Sequence, residues 1–271
     1  MTAVLPAWSA PFAAGSRSSL VRDAPLGRLD RETVFGDADG RGVTVAIVDS
    51  GVDDRHPAVR GRVARHLAIE VDGTEAIVVE DPAGVDLVGH GTACAGIIAG
   101  IAPAAEFVSI RILGADNRGK GLALAAAIDW AIAERISIIN LSLSSRSEAL
   151  FGVFHDLADR SYFANTLLVC AANNVPGPSY PSLFAAVLSV AAHDVPDPDV
   201  WFYNPAPPVE FGAYGVDVDV AWRDGGRIRA TGNSFAAPHM AGQAARLRSR
   251  HPAATPFEIK ALLAATADVP G

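Results

Sequence analysis

The sequence predicts an α/β protein in which helices cover both faces of a mainly parallel sheet, as a three-layer αβα sandwich. Short, continuous apolar runs recur along the 271 residues, and stretches with helical periodicity alternate with them. Continuous apolar runs are typical of strands buried on both faces, and alternation of strand and helix is typical of parallel sheets. Half of the residues are hydrophobic and the mean hydropathy is +0.24, so the chain can form a large core.

The first strand is predicted over residues 43–48, an apolar run that ends at Asp49. A hairpin is predicted over residues 69–79, because Asp72-Gly73 is a favourable two-residue turn. A helix rich in small residues begins near His90. Further strands are predicted over residues 107–113, 136–143, 166–172 and 187–192, and helices over residues 122–135 and 148–163.

The chain contains no internal repeat and no linker that would separate two domains. We therefore predict a single domain over residues 26–271. Residues 1–25 are rich in Ala, Ser, Pro and Arg without periodicity, and we expect them to form a partly mobile extension. The proline-rich residues 196–208 are predicted to be a surface loop of the same domain.

Composition excludes several classes of partner. The net charge of −8 argues against nucleic acid or an anionic membrane surface. No run of 18 apolar residues is free of charge or proline, so no membrane partner is expected. The N-terminus lacks a basic region, prolines interrupt any apolar core of a signal peptide, and two cysteines suit a reducing compartment. We expect a soluble, cytoplasmic protein, and the sequence does not predict its oligomeric state.

Asp49 stands at the carboxyl end of the first predicted strand, where open α/β sheets place their ligands. A phosphatase-like nucleophile would require a second acid two residues later, whereas the next acid is Asp53. A metal ligand would require further carboxylate or histidine ligands nearby. A carboxylate that orients a histidine is the third interpretation, and the next motif supplies that histidine.

His90 lies between Gly89 and Gly91 at a predicted helix start. These glycines could belong to a dinucleotide-binding fingerprint, but the third glycine is displaced and the preceding apolar stretch is short. The simpler interpretation is that the glycines allow the backbone to bring the imidazole of His90 close to other groups. The other six histidines have ordinary explanations, such as turns before proline.

Ser234 lies between a glycine and small apolar residues that begin a helix, with Pro238 in about its first turn. A serine there lies among free backbone N–H groups at the positive end of the helix dipole. These groups can bind a developing oxyanion. A serine that only caps the helix would show the same pattern.

Asp49, His90 and Ser234 thus occur in that order, each at a predicted strand end or helix start. Nucleophilic catalysis by serine requires a base to take the proton and a carboxylate to orient the base. This chain order is one of three that unrelated catalytic triads use. An α/β-hydrolase would require Gly-x-Ser-x-Gly with the acid and histidine after the serine, but position 236 is alanine.

Over roughly residues 26–265 the chain resembles the subtilisin-like serine proteases. The stretches that carry the resemblance are VAIVDSGVD (45–53), GHGTACAG (89–96), NLSL (140–143), VCAANN (169–174) and GNSFAAPHMAG (232–242). The resemblance implies a subtilisin-like sheet, with Ser234 as nucleophile, His90 as general base and then acid, and Asp49 as the carboxylate behind it. It also implies that Asn174 donates to the oxyanion; an ordinary turn residue is the alternative for Asn174.

The resemblance further implies a peptide or protein substrate that binds as an extended strand. The expected contacts are Ser142, Leu143 and Ser144 on one side and Arg118, Gly119 and Lys120 on the other. An ordinary strand end and a solvated loop are the alternatives for these segments. Ser144 and Ser145 replace glycines of the family, which we expect to narrow the first specificity pocket. Asn233 replaces a residue whose hydroxyl often assists the oxyanion site.

No cofactor and no metal are expected. The calcium-binding loop that commonly follows the histidine helix is missing, because residues 99–103 run straight on. Cys94 follows His90 by one helical turn and shares its face, which matches subtilases with a thiol beneath the active site. A packed small hydrophobe is the alternative for Cys94, and Cys170 is assigned no role.

The expected activity is therefore hydrolysis of internal peptide bonds through an acyl-enzyme, in leader-peptide maturation or intracellular protein turnover. A degenerate subtilase that binds peptides without cleaving them is one alternative, and Ser144, Ser145 and Asn233 favour it. A peptide ligase or esterase that uses the same acyl-enzyme is the other. Residues 1–25 are also interpreted as a short inhibitory extension, by resemblance to intracellular subtilisins.

Overall fold

The structure is a computed structural model that describes residues 5–17, 20, 29–206 and 208–269. Eleven strands and six α-helices lie within these ranges. The strands are β1 (Thr44–Asp49), β2 (Val63–Asp72), β3 (Glu75–Glu80), β4 (Glu106–Arg111), β5 (Ile138–Leu141), β6 (Leu167–Ala171), β7 (Leu188–His193), β8 (Trp201–Tyr203), β9 (Phe211–Tyr214), β10 (Val218–Ala221) and β11 (Arg227–Ala230). The helices are α1 (Arg31–Phe35), α2 (His90–Ile101), α3 (Gly121–Ala133), α4 (Phe151–Phe163), α5 (Asn233–Arg250) and α6 (Pro256–Ala265).

Nine of the strands form one sheet in the order β3-β2-β4-β1-β5-β6-β7-β9-β8. All neighbouring strands from β2 to β9 are parallel, and only the edge strands β3 and β8 run antiparallel to their neighbours. Strands β10 and β11 form a separate antiparallel pair. The predicted α/β class with a mainly parallel sheet is confirmed, and so is the hairpin, which β2 and β3 form around Gly73.

Helices cover both faces of the sheet because its central strands are apolar on both sides. Alternate side chains of a strand point to opposite faces. In β1, Val45 and Ile47 pack in a core cluster with apolar side chains of α2 and α5. Ala46 and Val48 pack in a second cluster with side chains of α3 and α4. One strand thus links two cores, which explains its continuous apolar run.

Residues 196–208, predicted to be a surface loop, contain an edge strand of the sheet. Strand β8 pairs with β9, and Trp201 within it is only 2% exposed. The prediction was wrong because the prolines lie outside the three consecutive aromatic residues, which supply the buried strand. Helix α1, strand β9 and the pair β10–β11 were also not predicted.

Part of the predicted N-terminal extension packs against the domain. Phe12 is fully buried in a cluster with Phe202 and Ala172. Residues 1–4, 18–19 and 21–25 of the extension lie outside the described residues. Within the described ranges, no helix combines the length and apolarity that crossing a membrane requires.

Candidate active site

Strand β1 and helix α2 bring Asp49 and His90 together, as the sequence predicts. Asp49, which is fully buried, ends β1, and His90 begins α2. His90 Nδ1 lies 2.8 Å from Oδ2 and 2.9 Å from Oδ1 of Asp49. The helix approaches the strand closely because Gly91 has no side chain: a Cβ there would lie 2.0 Å from the carbonyl oxygen of Gly51. Because a carboxylate only accepts, Nδ1 carries the hydrogen and Nε2 is left to accept a proton.

The Asp49 carboxylate makes His90 a stronger base. Burial of the imidazole, whose side chain is 12% exposed, opposes its protonation. The neighbouring negative charge of Asp49 outweighs this effect and raises the pKa of His90 well above its ordinary value of 6.5. The ring of Phe235 packs on the imidazole with centroids 5.2 Å apart. His90 is therefore oriented, partly shielded from water and suited to general-base chemistry.

Asp86 fixes the start of the histidine helix, a role that sequence analysis did not assign. Its Oδ1 accepts hydrogen bonds from Ser50 Oγ and from the N–H of Gly89, both at 2.7 Å. Its Oδ2 accepts from the N–H and the hydroxyl of Thr92, at 2.8 and 2.7 Å. A capping residue normally stands directly before its helix, so Asp86, four positions before His90, carried no such signal in the sequence.

Helix α5 places Ser234 beside Asn174. Ser234 is the second residue of α5, where backbone N–H groups have no acceptor within the helix. A Cβ built on Gly232 would lie 3.2 Å from Ser234 Oγ and 3.4 Å from Asn174 Nδ2, so the hydroxyl and the amide flank one small space. Asn174 Oδ1 accepts the N–H of Asn233 at 2.8 Å, which leaves Nδ2 free to donate.

Pro238 lies further into α5 than predicted. It is the sixth residue of the helix, so its missing N–H leaves the carbonyl of Ser234 without the usual donor one turn later. Cys94 Sγ lies 3.8 Å from that carbonyl oxygen. The thiol therefore faces the backbone of the serine at the point where proline interrupts the helix ladder.

His90, Ser234 and Asn174 line one cleft of about 300 Å³. Among the described residues, no hydrogen bond joins His90 to Ser234, and catalytic contacts of this kind often tighten only when substrate binds. Five of the six predicted substrate contacts line the same cleft: Ser142, Leu143, Ser144, Gly119 and Lys120. The sixth, Arg118, instead lines an adjoining cleft of about 360 Å³.

Cys94 lies beneath the Asp49–His90 pair, on the face of α2 that it was predicted to share with His90. Its Sγ is 3.9 Å from both Asp49 Oδ2 and His90 Nδ1, and it donates to Ser142 Oγ at 3.1 Å. Burial raises the pKa of the Cys94 thiol, so the thiol stays protonated at neutral pH. Within the described part of the chain, Asp49, His90 and Cys94 are the one group whose potential metal-ligand atoms lie within 4.8 Å of one another. A thiophilic ion there would compete for the atoms that hold the histidine.

Comparison with known sequences identifies the family of the chain. A sequence profile described as "Subtilase family" matches residues 40–271. The chain belongs to the subtilase family.

Individual relatives agree with this assignment. The chain is 32% identical over 239 residues to a thermostable alkaline protease of Halalkalibacterium halodurans, covering 84% of this chain and 63% of that relative. It is 30% identical over 240 residues to subtilisin BL of Lederbergia lenta, covering 84% of each chain. A solved cold-adapted subtilisin-like serine proteinase superposes with a TM-score of 0.69 at 26% identity, covering 93% of this chain and 92% of that one. The chain thus spans less than two thirds of the first relative but most of the other two.

Proposed function

We propose that the protein is a serine endopeptidase that hydrolyses peptide bonds through an acyl-enzyme on Ser234. The observation that carries this proposal is the shared cleft: His90, paired with the buried Asp49, lines it together with Ser234 and Asn174. The substrate is a peptide or protein that lies extended between residues 142–144 and residues 118–121.

The first half-reaction forms the acyl-enzyme. His90 Nε2 takes the proton of the Ser234 hydroxyl while Oγ attacks the carbonyl carbon of the scissile bond. Asn174 Nδ2 and the N–H of Ser234 donate to the oxyanion that forms. As the carbon–nitrogen bond breaks, the imidazolium returns the proton to the leaving amine. Asp49 stays ionised throughout and stabilises the charged imidazole.

The second half-reaction releases the acid product. A water molecule takes the place of the amine, His90 removes its proton, and the resulting hydroxide attacks the ester carbon. The same two donors bind the second oxyanion. The carbon–oxygen bond to Ser234 then breaks, and the serine recovers its proton from His90.

Hydrolysis of a mixed peptide library by the wild type and Ser234→Ala, purified in parallel, tests the proposal. The wild type is expected to cut internal bonds. The variant, which retains the cleft but has no nucleophile, is expected to lose about 10⁶ in turnover. Equal cleavage by both proteins would overturn the proposal. Binding of peptides without cleavage would favour the degenerate subtilase, and capture of an added amine as a new peptide bond would favour the ligase.

We also propose that the substrate residue on the amino-terminal side of the scissile bond has a small side chain. Ser144 lines the cleft, and Ser145 is held by two backbone hydrogen bonds to Tyr180, at 2.8 and 2.7 Å. The hydroxymethyl group of Ser144 occupies space that a glycine would leave open. The library profile should therefore favour Gly, Ala and Ser, and Ser144→Gly should extend it to larger residues. An unchanged profile in Ser144→Gly would contradict this specificity.

A further proposal concerns the place of action: maturation of a particular peptide, such as a leader peptide, or protein turnover inside the cell. Cys94 and Cys170 are both buried and unpaired, which suits a reducing compartment. Cell fractionation followed by labelling with an active-site probe tests this proposal. Recovery of the labelled protein mainly outside the cytoplasm would contradict it.

A further inference from the structure

Asn233, the residue before the proposed nucleophile, connects three parts of the molecule through one fully buried side chain. Its Oδ1 accepts the N–H of Ala192 in β7 at 2.9 Å. Its Nδ2 donates to the carbonyl of Ala172, just beyond β6, at 3.1 Å. The third part is the N-terminal segment, residues 5–17: Nδ2 also donates to the carbonyl of Ala7 at 2.9 Å, and Ser9 Oγ donates to Oδ1 at 3.3 Å.

The same N-terminal segment holds the backbone of Asn174. The N–H of Ala7 donates to the Asn174 carbonyl at 3.0 Å. Ala7 therefore forms hydrogen bonds with both residues that position the oxyanion donors. One is Asn174 itself, and the other is Asn233, whose backbone continues directly into Ser234. Because the Asn233 N–H also orients the Asn174 side chain, these contacts form one connected network.

Buried contacts anchor the N-terminal segment behind the cleft. The ring of Phe12 is 0% exposed and lies over Gly212 of β9, where a Cβ would come within 2.4 Å of the ring. Arg17 forms an ion pair with Asp194, and its guanidinium lies 4.9 Å from the centroid of the Phe202 ring. Glycine at position 212 thus provides the recess that the Phe12 ring fills.

We propose that the N-terminal segment is an intrinsic activator that holds Asn174 and Ser234 in position to bind the oxyanion. This inference rests on the proposed acyl transfer at Ser234. No described residue of the segment lines the cleft, so the segment acts on the donors and not on substrate access. The oxyanion is absent from the bound substrate and develops only as the transition state forms. Displacing the segment therefore lowers kcat and leaves KM nearly unchanged. An inhibitory extension would have the opposite effect on turnover.

Two full-length variants disrupt the contact between Phe12 and Gly212, each by changing one of the two residues. Phe12→Ala removes the ring, and Gly212→Ala fills its recess. Each is expected to lower kcat about 10²-fold, the size of a lost oxyanion donor, with KM changed less than about threefold. Because both break the same contact, the double variant should be no slower than the worse single variant. The matched control is Phe154→Ala, which removes an equally buried phenylalanine from α4, in a core cluster separate from that of Phe12, and should leave kcat unchanged.

A second measurement separates positioning from general destabilisation. A chain that begins at residue 21 should have the same low kcat, and adding a synthetic peptide of residues 5–20 should restore it at least about tenfold. The same peptide carrying Phe12→Ala should not restore it. Three outcomes would each overturn the inference: a wild-type kcat in Gly212→Ala, an equal loss of kcat in Phe154→Ala, or a truncated chain with a higher kcat than the full chain.

Amide hydrogen exchange keeps this test distinct from the proposed function. Should the wild type cleave no peptide at all, the proposed function fails, while the positioning network can still be measured. Faster exchange of the Asn233 amide in Gly212→Ala than in Phe154→Ala would support the network. Equal exchange in the two variants would overturn it.

Discussion

Acid is expected to destabilise the folded protein because two buried imidazoles resist protonation. Burial lowers the pKa of His193, at the end of β7, to about 4, and lowers the pKa of His239, in α5, to about 4. His193 Nε2 donates to the carbonyl of Val200 at 2.9 Å, and its Nδ1 accepts the N–H of Val195 at 3.2 Å. Protonating Nδ1 of His193 would therefore also break a hydrogen bond.

The sign and size of the effect follow from the difference between the folded and unfolded pKa values. Each imidazole titrates near its ordinary 6.5 in the unfolded chain and near 4 in the folded one. The unfolded state therefore binds more protons between these values, and the free energy of unfolding falls as the pH drops through that window. For His239 alone, going from pH 7 to pH 5 removes about 2 kcal/mol. The raised pKa of His90 acts in the opposite direction, because its protonation favours the folded state.

Urea unfolding at pH 7 and pH 5, with and without His239→Asn, isolates this contribution. Asparagine can retain the bond that His239 Nδ1 donates to the Phe235 carbonyl at 2.8 Å, and it does not ionise. A Ser234→Ala background prevents self-digestion, and the contribution of His90 cancels in the difference. We expect the variant to gain about 2 kcal/mol relative to its parent between pH 7 and pH 5.

The control for this experiment is His155→Asn, which removes an imidazole that is 55% exposed and so tests the importance of burial. A difference between His239→Asn and its parent that does not change with pH would refute the reasoning.

Three further predictions concern the cleft. Asp49→Asn should lower kcat about 10⁴-fold. It should also shift the acid limb of the pH profile of kcat/KM to lower pH, because His90 loses the charge that raises its pKa. An unshifted limb would contradict this coupling. Asn174→Ala should lower kcat by about 10²–10³ at nearly constant KM, and a change confined to KM would exclude an oxyanion role. An organomercurial should inactivate the wild type, since a group on Cys94 Sγ, 3.9 Å from His90 Nδ1, must displace the imidazole. The Cys94→Ala variant should resist the reagent. Equal inhibition of the two proteins would show that the reagent acts elsewhere.

The parts of the site that local patterns encode could be predicted from the sequence. The apolar run of β1 ends at Asp49, and glycines surround His90, so each residue could be placed at a strand end or helix start. The common edge of a parallel sheet then brings them together. The position of Pro238 was less accurate, because a proline after a serine does not show where the helix begins.

Contacts between distant parts of the chain could not be predicted from local patterns. Asn233 and Ala7 are 226 positions apart, and a segment without periodicity gives no sign that it will fill the recess over Gly212. Residues 5–17 were therefore predicted to belong to an extension, although they pack behind the cleft. Strand β8 was missed for a related reason: an edge strand of three residues is identified by its partner β9 more than by its own pattern.

Peptide mapping by mass spectrometry after treatment with a fluorophosphonate tests the central claim most directly. A stoichiometric adduct on Ser234, formed rapidly by the wild type and at least about 10³-fold more slowly by His90→Ala, is the expected result. No adduct, an adduct on another serine, or labelling that does not depend on His90 would contradict the assignment of Asp49, His90 and Ser234 as one catalytic unit.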